Sequence, residues 1–183
     1  MTITPLQLAF YKGSGGKNGA IQFSPQLPHY YCARMECKEK DWNSLFPPEC
    51  PKCGDKMKSR EGALFVEIAS TRGVNDYDWT NKIRMALNQQ DLGKILVMLE
   101  SGKEGEELKI THDPGAAGPN KGKVYKIMTI SSPKGLTAGV FISVTMRDAA
   151  LDTPITHRVP LSRDETRVLS TCIRSFIPKA LNW

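Results

Sequence analysis

The stretch that constrains the fold most runs from His112 to Trp183. Residues 140–147 alternate between apolar and polar side chains, which is typical of a strand with one buried face. Ser162 and Glu165 then form a capping box, and an apolar stripe at helical spacing follows it. Pro178 should kink or end the last turn of that helix. The end of the chain is therefore predicted to be strands followed by one amphipathic helix.

The same order occurs in the first part of the chain, where strands precede a helix that starts after Asn88 and stops near Gly102. Strands are predicted over residues 6–11, 20–24, 62–70, 79–87, 108–112, 123–130, 140–147 and 155–159. Residues 71–78 should be a loop, and residues 114–121 a hairpin loop. Each helix follows a run of strands, so about eight strands and two helices predict an α+β fold rather than alternating βαβ units.

Four of the five cysteines are clustered, with the spacing Cys32-x4-Cys37, twelve residues, then Cys50-x2-Cys53. Two short-spaced pairs joined by a spacer can offer four thiolates to one tetrahedral ion, and Gly54 frees the backbone to turn so that amides can point at sulfur. We predict a structural Zn²⁺ in an inserted module over residues 29–60. A redox dithiol and unrelated buried cysteines are the alternatives. Clustered cysteines also indicate a reducing compartment.

The chain has 183 residues and a formal net charge of +6, and a basic protein favours nucleic acid or an anionic membrane surface. Residues 121–183 hold ten Lys/Arg against four Asp/Glu, so the excess is concentrated there. No apolar run is long enough to span a bilayer, and no signal or transit peptide is visible. His112-Asp113-Pro114 is better explained as turn structure than as acid–base chemistry. Without a phosphate loop, paired-carboxylate metal site or nucleophile motif, we predict a protein that is not an enzyme.

Several segments, in this order and spacing, resemble the Whirly family of single-stranded-DNA-binding proteins over about three-quarters of the chain. They are Tyr11-Lys12-Gly13 with Lys17, Arg60-Glu61-Gly62, residues 64–69, Gly73-Val74, Tyr77-Asp78-Trp79, Lys82, Leu92-Gly93 and the final third. Ser14-Gly15-Gly16 departs from the family's motif for higher assembly, and the cysteine module is foreign to the plant proteins.

The resemblance implies two antiparallel four-stranded sheets packed crosswise and held by two helices. It also implies a homotetramer assembled through the helices, with single strands lying along sheet edges between protomers. Plant members need an import segment, and none is visible here. We therefore expect a bacteriophage or bacterial protein of the cytoplasm that acts in replication, recombination or repair.

Binding to single strands without sequence preference needs cations for the phosphates and aromatic faces for the bases. The candidates are aromatic and cationic residues that neighbour one another on predicted strands: Phe10, Tyr11, Lys12, Lys17, Tyr77, Trp79, Lys82, Arg84, Lys123, Tyr125, Lys126, Phe141 and Arg147. Strand geometry places Lys126 on the opposite face from Lys123 and Tyr125. Trp79 and Trp183 match family positions that suit packing better than base stacking.

The main hypothesis is a protein that coats single-stranded DNA. An RNA-binding or annealing protein of the same fold is one alternative, because mitochondrial guide-RNA-binding proteins share it. A zinc-ribbon regulator that reads duplex DNA through residues 32–53 is the other. Partner proteins could include replication or recombination enzymes.

Overall fold

The computed structural model describes residues 7–13, 19–34, 36–44, 46–113, 123–134 and 139–181. The strands are β1 (Leu8–Tyr11), β2 (Gly19–Gln26), β3 (His29–Tyr31), β4 (Lys40–Asp41), β5 (Lys58–Arg60), β6 (Ala63–Gly73), β7 (Asp76–Tyr77), β8 (Ile83–Leu87), β9 (Glu107–His112), β10 (Val124–Ser131), β11 (Val140–Asp148) and β12 (Ile155–Leu161). The helices are α1 (Gln89–Ser101) and α2 (Arg163–Ala180), and a 3-10 turn spans Trp79–Asn81.

The first large sheet has the antiparallel order β1-β2-β6-β8, and β7 extends it beside the end of β6. β2 does not stop before Pro25 as predicted, because its ladder with β6 continues to the pair Gln26–Ala63. The predicted strand over residues 79–87 begins later. The carboxylate of Asp78 accepts the Asn81 N–H and caps a 3-10 turn, so β8 starts only at Ile83. Part of the predicted loop over residues 71–78 is strand.

The second large sheet has the antiparallel order β12-β11-β10-β9. Alternation along β11 is as predicted, with Val140, Ile142 and Val144 buried. The hairpin loop predicted over residues 114–121, between β9 and β10, lies outside the described residues.

Both helices start at capping boxes. Asn88 caps α1, and Gly102 ends it in the left-handed region at φ 60°. Ser162 caps α2, which runs past Pro178 to Ala180 instead of ending there. The proline lies in the last turn, where it removes a single hydrogen bond, and the Leu181 N–H still donates to Ile177 O. Neither described helix combines the length and apolar character needed to cross a bilayer.

The hydrophobic core lies between the two large sheets and beneath both helices. Its fully buried members include Ile21 and Ile68 of the first sheet, Ile142 of the second, Leu92 of α1 and Ile173 of α2. Eight long strands in two antiparallel sheets and two helices confirm the predicted α+β fold. Each large sheet keeps its other face turned away from this core.

Gly62 lies where the chain returns from the cysteine module and passes the end of α2. A Cβ atom here would come within 2.7 Å of Ala180 Cα, closer than packed carbons approach. We therefore expect Gly62→Ala to lower the free energy of unfolding by about 1–3 kcal/mol. Gly73→Ala is the control, because a Cβ there meets nothing within 4 Å. Urea unfolding measures both, and equal losses in the two variants would contradict the steric explanation.

Candidate nucleic-acid interface and metal centre

The core-distant face of the first sheet, here called the first outer face, begins with two tyrosines whose rings are in tilted contact. Tyr11 and Tyr77 have ring centroids 5.4 Å apart. Tyr77 is buried over Ala20 and Ala69, and Trp79 packs beside them. Tyr11 is 57% exposed and is therefore the ring of this cluster that solvent or a ligand reaches.

A buried carboxylate organises the cations of the first outer face. Glu67 is 9% exposed and accepts Lys82 Nζ at 3.0 Å, while Arg84 Nε lies 3.5 Å from its other oxygen. The Arg84 guanidinium also lies 3.9 Å from the ring centroid of Phe65. Because the carboxylate and the ring hold it from two sides, Arg84 presents a pre-oriented cation over an aromatic face.

The second outer face, which is the core-distant face of the β9–β12 sheet, repeats this arrangement. Tyr125 and Arg147 are direct cross-strand partners, 5.9 Å from ring centroid to guanidinium. Arg158 lies 3.9 Å from the ring centroid of Phe141. Two threonine hydroxyls between these pairs are 2.9 Å apart, at residues 145 and 156.

Sequence patterns alone do not predict Phe65 and Arg158 as contact residues. In the sequence, Phe65 is only one apolar residue of a strand. For Arg158 the usable signal was its place in β12, where it alternates with buried Val159 and must face outward. Its neighbour Phe141 on β11 follows only from the strand register.

Three of the predicted contact residues lie in the core or are bonded to other residues of the protein. Phe10 is in the core, edge-to-face with Phe23 at 6.3 Å, so neither outer face includes it. Lys126 lies on the opposite face of β10 from Tyr125, as strand geometry predicted, and its Nζ donates to Arg84 O at 2.6 Å. Burial, with a smaller contribution from the Arg84 charge, lowers the pKa of Lys126. Lys12 is held by Glu165.

The other predicted contacts divide between the two outer faces. The first outer face brings together Tyr11, Tyr77, Trp79, Lys82 and Arg84, and the second brings together Tyr125, Phe141 and Arg147. Lys123 is exposed just before β10, and Lys17 lies outside the described residues. Their contact with nucleic acid stays a prediction.

Glu165 ties the end of β1 to the start of α2. Lys12 Nζ donates to its two oxygens at 2.5 and 2.6 Å, and the Ser162 N–H donates to it at 2.7 Å. Burial by itself would raise the pKa of Glu165, but the hydrogen bonds from Lys12 and Ser162 outweigh it and leave the pKa below its usual value.

A lowered pKa in the folded state means that ionised Glu165 stabilises the fold above its unfolded pKa, and that this contribution is lost as the pH falls through the folded pKa. Glu165→Gln should therefore be about 1–2 kcal/mol less stable than the wild type at pH 7, and the difference should shrink toward pH 3. Urea unfolding at both pH values measures this, with Glu107→Gln at an exposed ion pair as the control. A difference that does not change with pH would contradict the linkage.

The four clustered cysteines form a compact thiol centre. Their sulfur atoms all lie within 4.8 Å of one another, with Cys32 and Cys53 at 3.4 Å and Cys37 and Cys50 at 3.3 Å. None of them is in a disulfide. Tetrahedral zinc with Zn–S bonds of about 2.3 Å requires sulfurs about 3.8 Å apart, so this set fits the ion with small adjustments.

Backbone amides point at these sulfurs, as expected of metal-binding turns. Glu39 donates to Cys37, Lys52 to Cys50 and Asp55 to Cys53, in each case from two residues further along. Burial opposes ionisation of Cys50, but the amide of Lys52 and the Cys37 thiol help to lower its pKa to about 7. The same hydrogen bond raises the pKa of Cys37. For Cys53 the Asp55 amide favours the thiolate, but burial and the neighbouring thiols raise the pKa to about 12. A stabilised thiolate is the form that binds zinc.

A separate small core surrounds the thiol centre. Cys32, Cys50 and Met57 are buried in it, and Tyr30 packs against them. The three-stranded sheet β4-β3-β5 covers this core and shares no strand with the two large sheets. Four cysteines fill a tetrahedral shell, so the centre suits a structural ion and leaves no position for a substrate.

Two core-distant sheet faces that bear arginines on aromatic rings, on an α+β body, define a class of protein suited to unpaired nucleic acid. A family model described as "Whirly transcription factor" matches residues 44–172. The chain therefore belongs to the Whirly family.

Named relatives agree with this assignment. The mitochondrial single-stranded DNA-binding protein WHY2 of Arabidopsis thaliana is 28% identical over 130 residues, covering 71% of this chain and 52% of the relative. The chloroplastic single-stranded DNA-binding protein WHY3 of the same plant is 25% identical over 162 residues. That alignment covers 85% of this chain and 58% of the relative. The chain thus spans about half the length of the curated relatives it matches.

The crystal structure of WHY3 from Arabidopsis thaliana superimposes on this chain. The superposition covers the whole of this chain and 92% of the WHY3 chain. The TM-score is 0.75 at 21% sequence identity. This likeness shows the shared fold, including the two sheets and two helices.

Proposed function

We propose that this protein binds single-stranded DNA largely independently of sequence and coats exposed strands without catalysing a reaction. The observation that carries the proposal is the recurrence of one motif on both outer faces. Arg84 lies on Phe65 and Arg158 lies on Phe141, each at 3.9 Å. Relatives named as single-stranded DNA-binding proteins support the same conclusion.

The arrangement suits a ligand with alternating charge and flat rings. Every base has a π-face, so stacking on phenyl or tyrosyl rings tolerates any sequence, while arginine and lysine follow the phosphates. Glu67 keeps Lys82 and Arg84 oriented before binding, which lowers the side-chain entropy lost when a strand docks. Duplex DNA hides its base faces in the stack and would leave the rings unused.

The experiment is a fluorescence anisotropy titration with labelled oligo-dT and a matched duplex at two salt concentrations. We expect preference for the single strand and an affinity that falls with salt, since cations displace counterions from the phosphates. Equal affinity for the two DNA forms would overturn the proposal. A competition with oligo-rU of the same length tests RNA recognition, in which a preference for the 2′-hydroxyl would favour an RNA-binding role.

We further propose a homotetramer assembled through the helices, acting in replication, recombination or repair in the cytoplasm of a bacterium or phage-infected cell. Exposed apolar residues on the helices, Val97 at 70% and Val168 at 47%, support the assembly. Light scattering should give four times the 20.3 kDa of one chain. A single-chain mass that persists at micromolar concentration would exclude the assembly.

A further inference from the structure

The small sheet of the cysteine module has two chemically different faces. Tyr30 lies on the face that packs against the thiol centre. Cross-strand partners share a face, and Tyr31 is opposite both Lys40 and Lys58, while His29 is opposite Arg60. The other face, here called the module platform, therefore consists of His29, Tyr31, Lys40, Trp42, Lys58 and Arg60.

Rings and cations alternate across the module platform within cation–π range. The Arg60 guanidinium lies 5.6 Å from the Tyr31 ring centroid, and Lys40 Nζ lies 5.8 Å from that of Trp42. The Trp42 ring lies 4.2 Å from the His29 ring at 31°. Trp42 is 49% exposed, so part of its flat surface has no cover among the described residues.

The platform cations form no ion pair with an acid in the part of the chain that the structure describes. Among the described residues, the module's ion pairs join Arg34 to Asp55 and Lys52 to Glu39 at the metal-binding turns. Lys40, Lys58 and Arg60 take part in neither pair. Lysine is depleted from protein–protein interfaces, so this composition fits a polyanion better than a protein partner.

A cavity of about 300 Å³ adjoins the platform, between Trp42, His29 and the ends of both helices at Gln89 and Ala180. Its volume lies at the lower end of the range for small-ligand pockets. Asp41 and Glu61 also line it, so it is unsuited to a phosphate and better suited to a group that donates hydrogen bonds.

His29 supplies an unused acceptor at this cavity. It is 4% exposed, and its Nδ1 donates to Leu27 O at 3.2 Å, which leaves Nε2 without a hydrogen bond to any described residue. Burial, with the nearby charges of Lys40 and Arg60, lowers the pKa of His29 and favours the neutral ring. A buried acceptor without a partner is costly and marks a position where a ligand donor would be favourable.

The cysteine module continues the body of the protein without a break in register. The pair Gln26–Ala63 in the large sheet and the pair His29–Arg60 in the module are three residues apart on both strands. The ribbon formed by β2 and β6 therefore continues into the module. Because side chains alternate and three is an odd offset, the platform lies on the opposite face of this ribbon from the first outer face and is a separate site.

We propose that the module platform is a second binding site for single-stranded nucleic acid. One unpaired base enters the cavity beside Trp42, opens the packing over His29 and donates an exocyclic amino group to Nε2 of that ring. Lys40, Lys58 and Arg60 hold the flanking phosphates. This inference rests on the proposed function and adds a base preference to it: cytosine and adenine carry such an amino group, and thymine does not.

The test compares full-length, zinc-loaded wild type with Lys58→Ala/Arg60→Ala by anisotropy titration of oligo-dC, oligo-dA and oligo-dT across a salt series. We expect the double variant to lose about three- to tenfold in affinity for oligo-dC and oligo-dA. Its salt slope should fall by about 1.4, since each phosphate contact to a single strand contributes about 0.7. Arg34→Ala/Lys52→Ala removes the same charge from the metal-binding turns. It should change the affinity and the salt slope by less than the platform variant does.

His29→Phe keeps a ring but removes the acceptor, and should abolish the preference for oligo-dC over oligo-dT. Zinc content is measured for every variant to confirm that the module is intact. If wild type binds single strands and the platform variants match it in affinity and slope, the second site is wrong and the proposed function stands. Equal wild-type affinity for oligo-dC and oligo-dT would overturn the role of His29. Failure of the wild type to bind any single strand would instead overturn the proposed function.

Discussion

Replacing Phe65 and Phe141 together with leucine should weaken binding of oligo-dT by about 30- to 1,000-fold. In binding, Arg84 and Arg158 move from these rings to the phosphates and a base takes their place. Stacking of one base on an aromatic ring is worth about 1–3 kcal/mol, and leucine retains apolar contact while losing the flat face. A loss of about 1–2 kcal/mol at each of two rings corresponds to this range. Both rings are half-buried on the outer faces, so the smaller side chain leaves the main core untouched.

The control for this variant is Phe46→Leu, which removes a ring that is 80% exposed on the cysteine module and belongs to neither outer face. Arg84→Ala/Arg158→Ala complements it. The phenylalanine variant should keep the salt slope of the wild type, whereas the arginine variant should lower it by about 1.4. If Phe65→Leu/Phe141→Leu is as stable as the wild type to unfolding and binds oligo-dT with the same affinity, bases do not stack on these faces.

Removing the metal should unfold the cysteine module and spare the body. Structural zinc contributes about 10–16 kcal/mol of apparent binding free energy in small domains, far more than the few buried residues around Cys32 and Cys50 can supply. We expect one zinc per chain by elemental analysis and none in Cys50→Ser/Cys53→Ser. Limited proteolysis should then cut the variant between residues 32 and 58, while the unfolding transition of the body persists because its core is separate.

Cys172→Ser is the matched control, since Cys172 lies on α2 and outside the thiol cluster. It should retain zinc and resist proteolysis as the wild type does. The metal-free variant should keep most of its affinity for oligo-dT. Complete loss of DNA binding would favour a regulator that reads DNA through the module, and a wild type without zinc would contradict the metal assignment.

Much of the local structure could be predicted because its signals lie within a few residues of one another. The N-cap at Asn88, the capping box at Ser162, the alternation along β11 and the cysteine spacing each depend on contacts inside one turn, strand or loop. One boundary error had a long-range cause, because the ladder between β2 and β6 carried strand structure through Pro25. The other was local, because the Asp78 cap delayed the start of β8 to Ile83.

The candidate site could be predicted only in part. Tyr125 and Arg147 were both named from the sequence, but that they are cross-strand partners depends on the register of β10 and β11. That Arg158 belongs to the candidate site follows only from its contact with the Phe141 ring, which depends on the pairing of β11 with β12. Lys12 looked like a free cation beside Tyr11, yet its partner Glu165 is 153 residues away.

The sequence by itself determined the α+β pattern, the helix limits and the four-cysteine centre, because periodicity, caps and ligand spacing act over short distances along the chain. Only the tertiary structure decided which strand faces were left uncovered, which cations were held by distant acids and which rings met arginines. Those outcomes depend on how two sheets and two helices pack together, and sequence distance carries little information about such contacts.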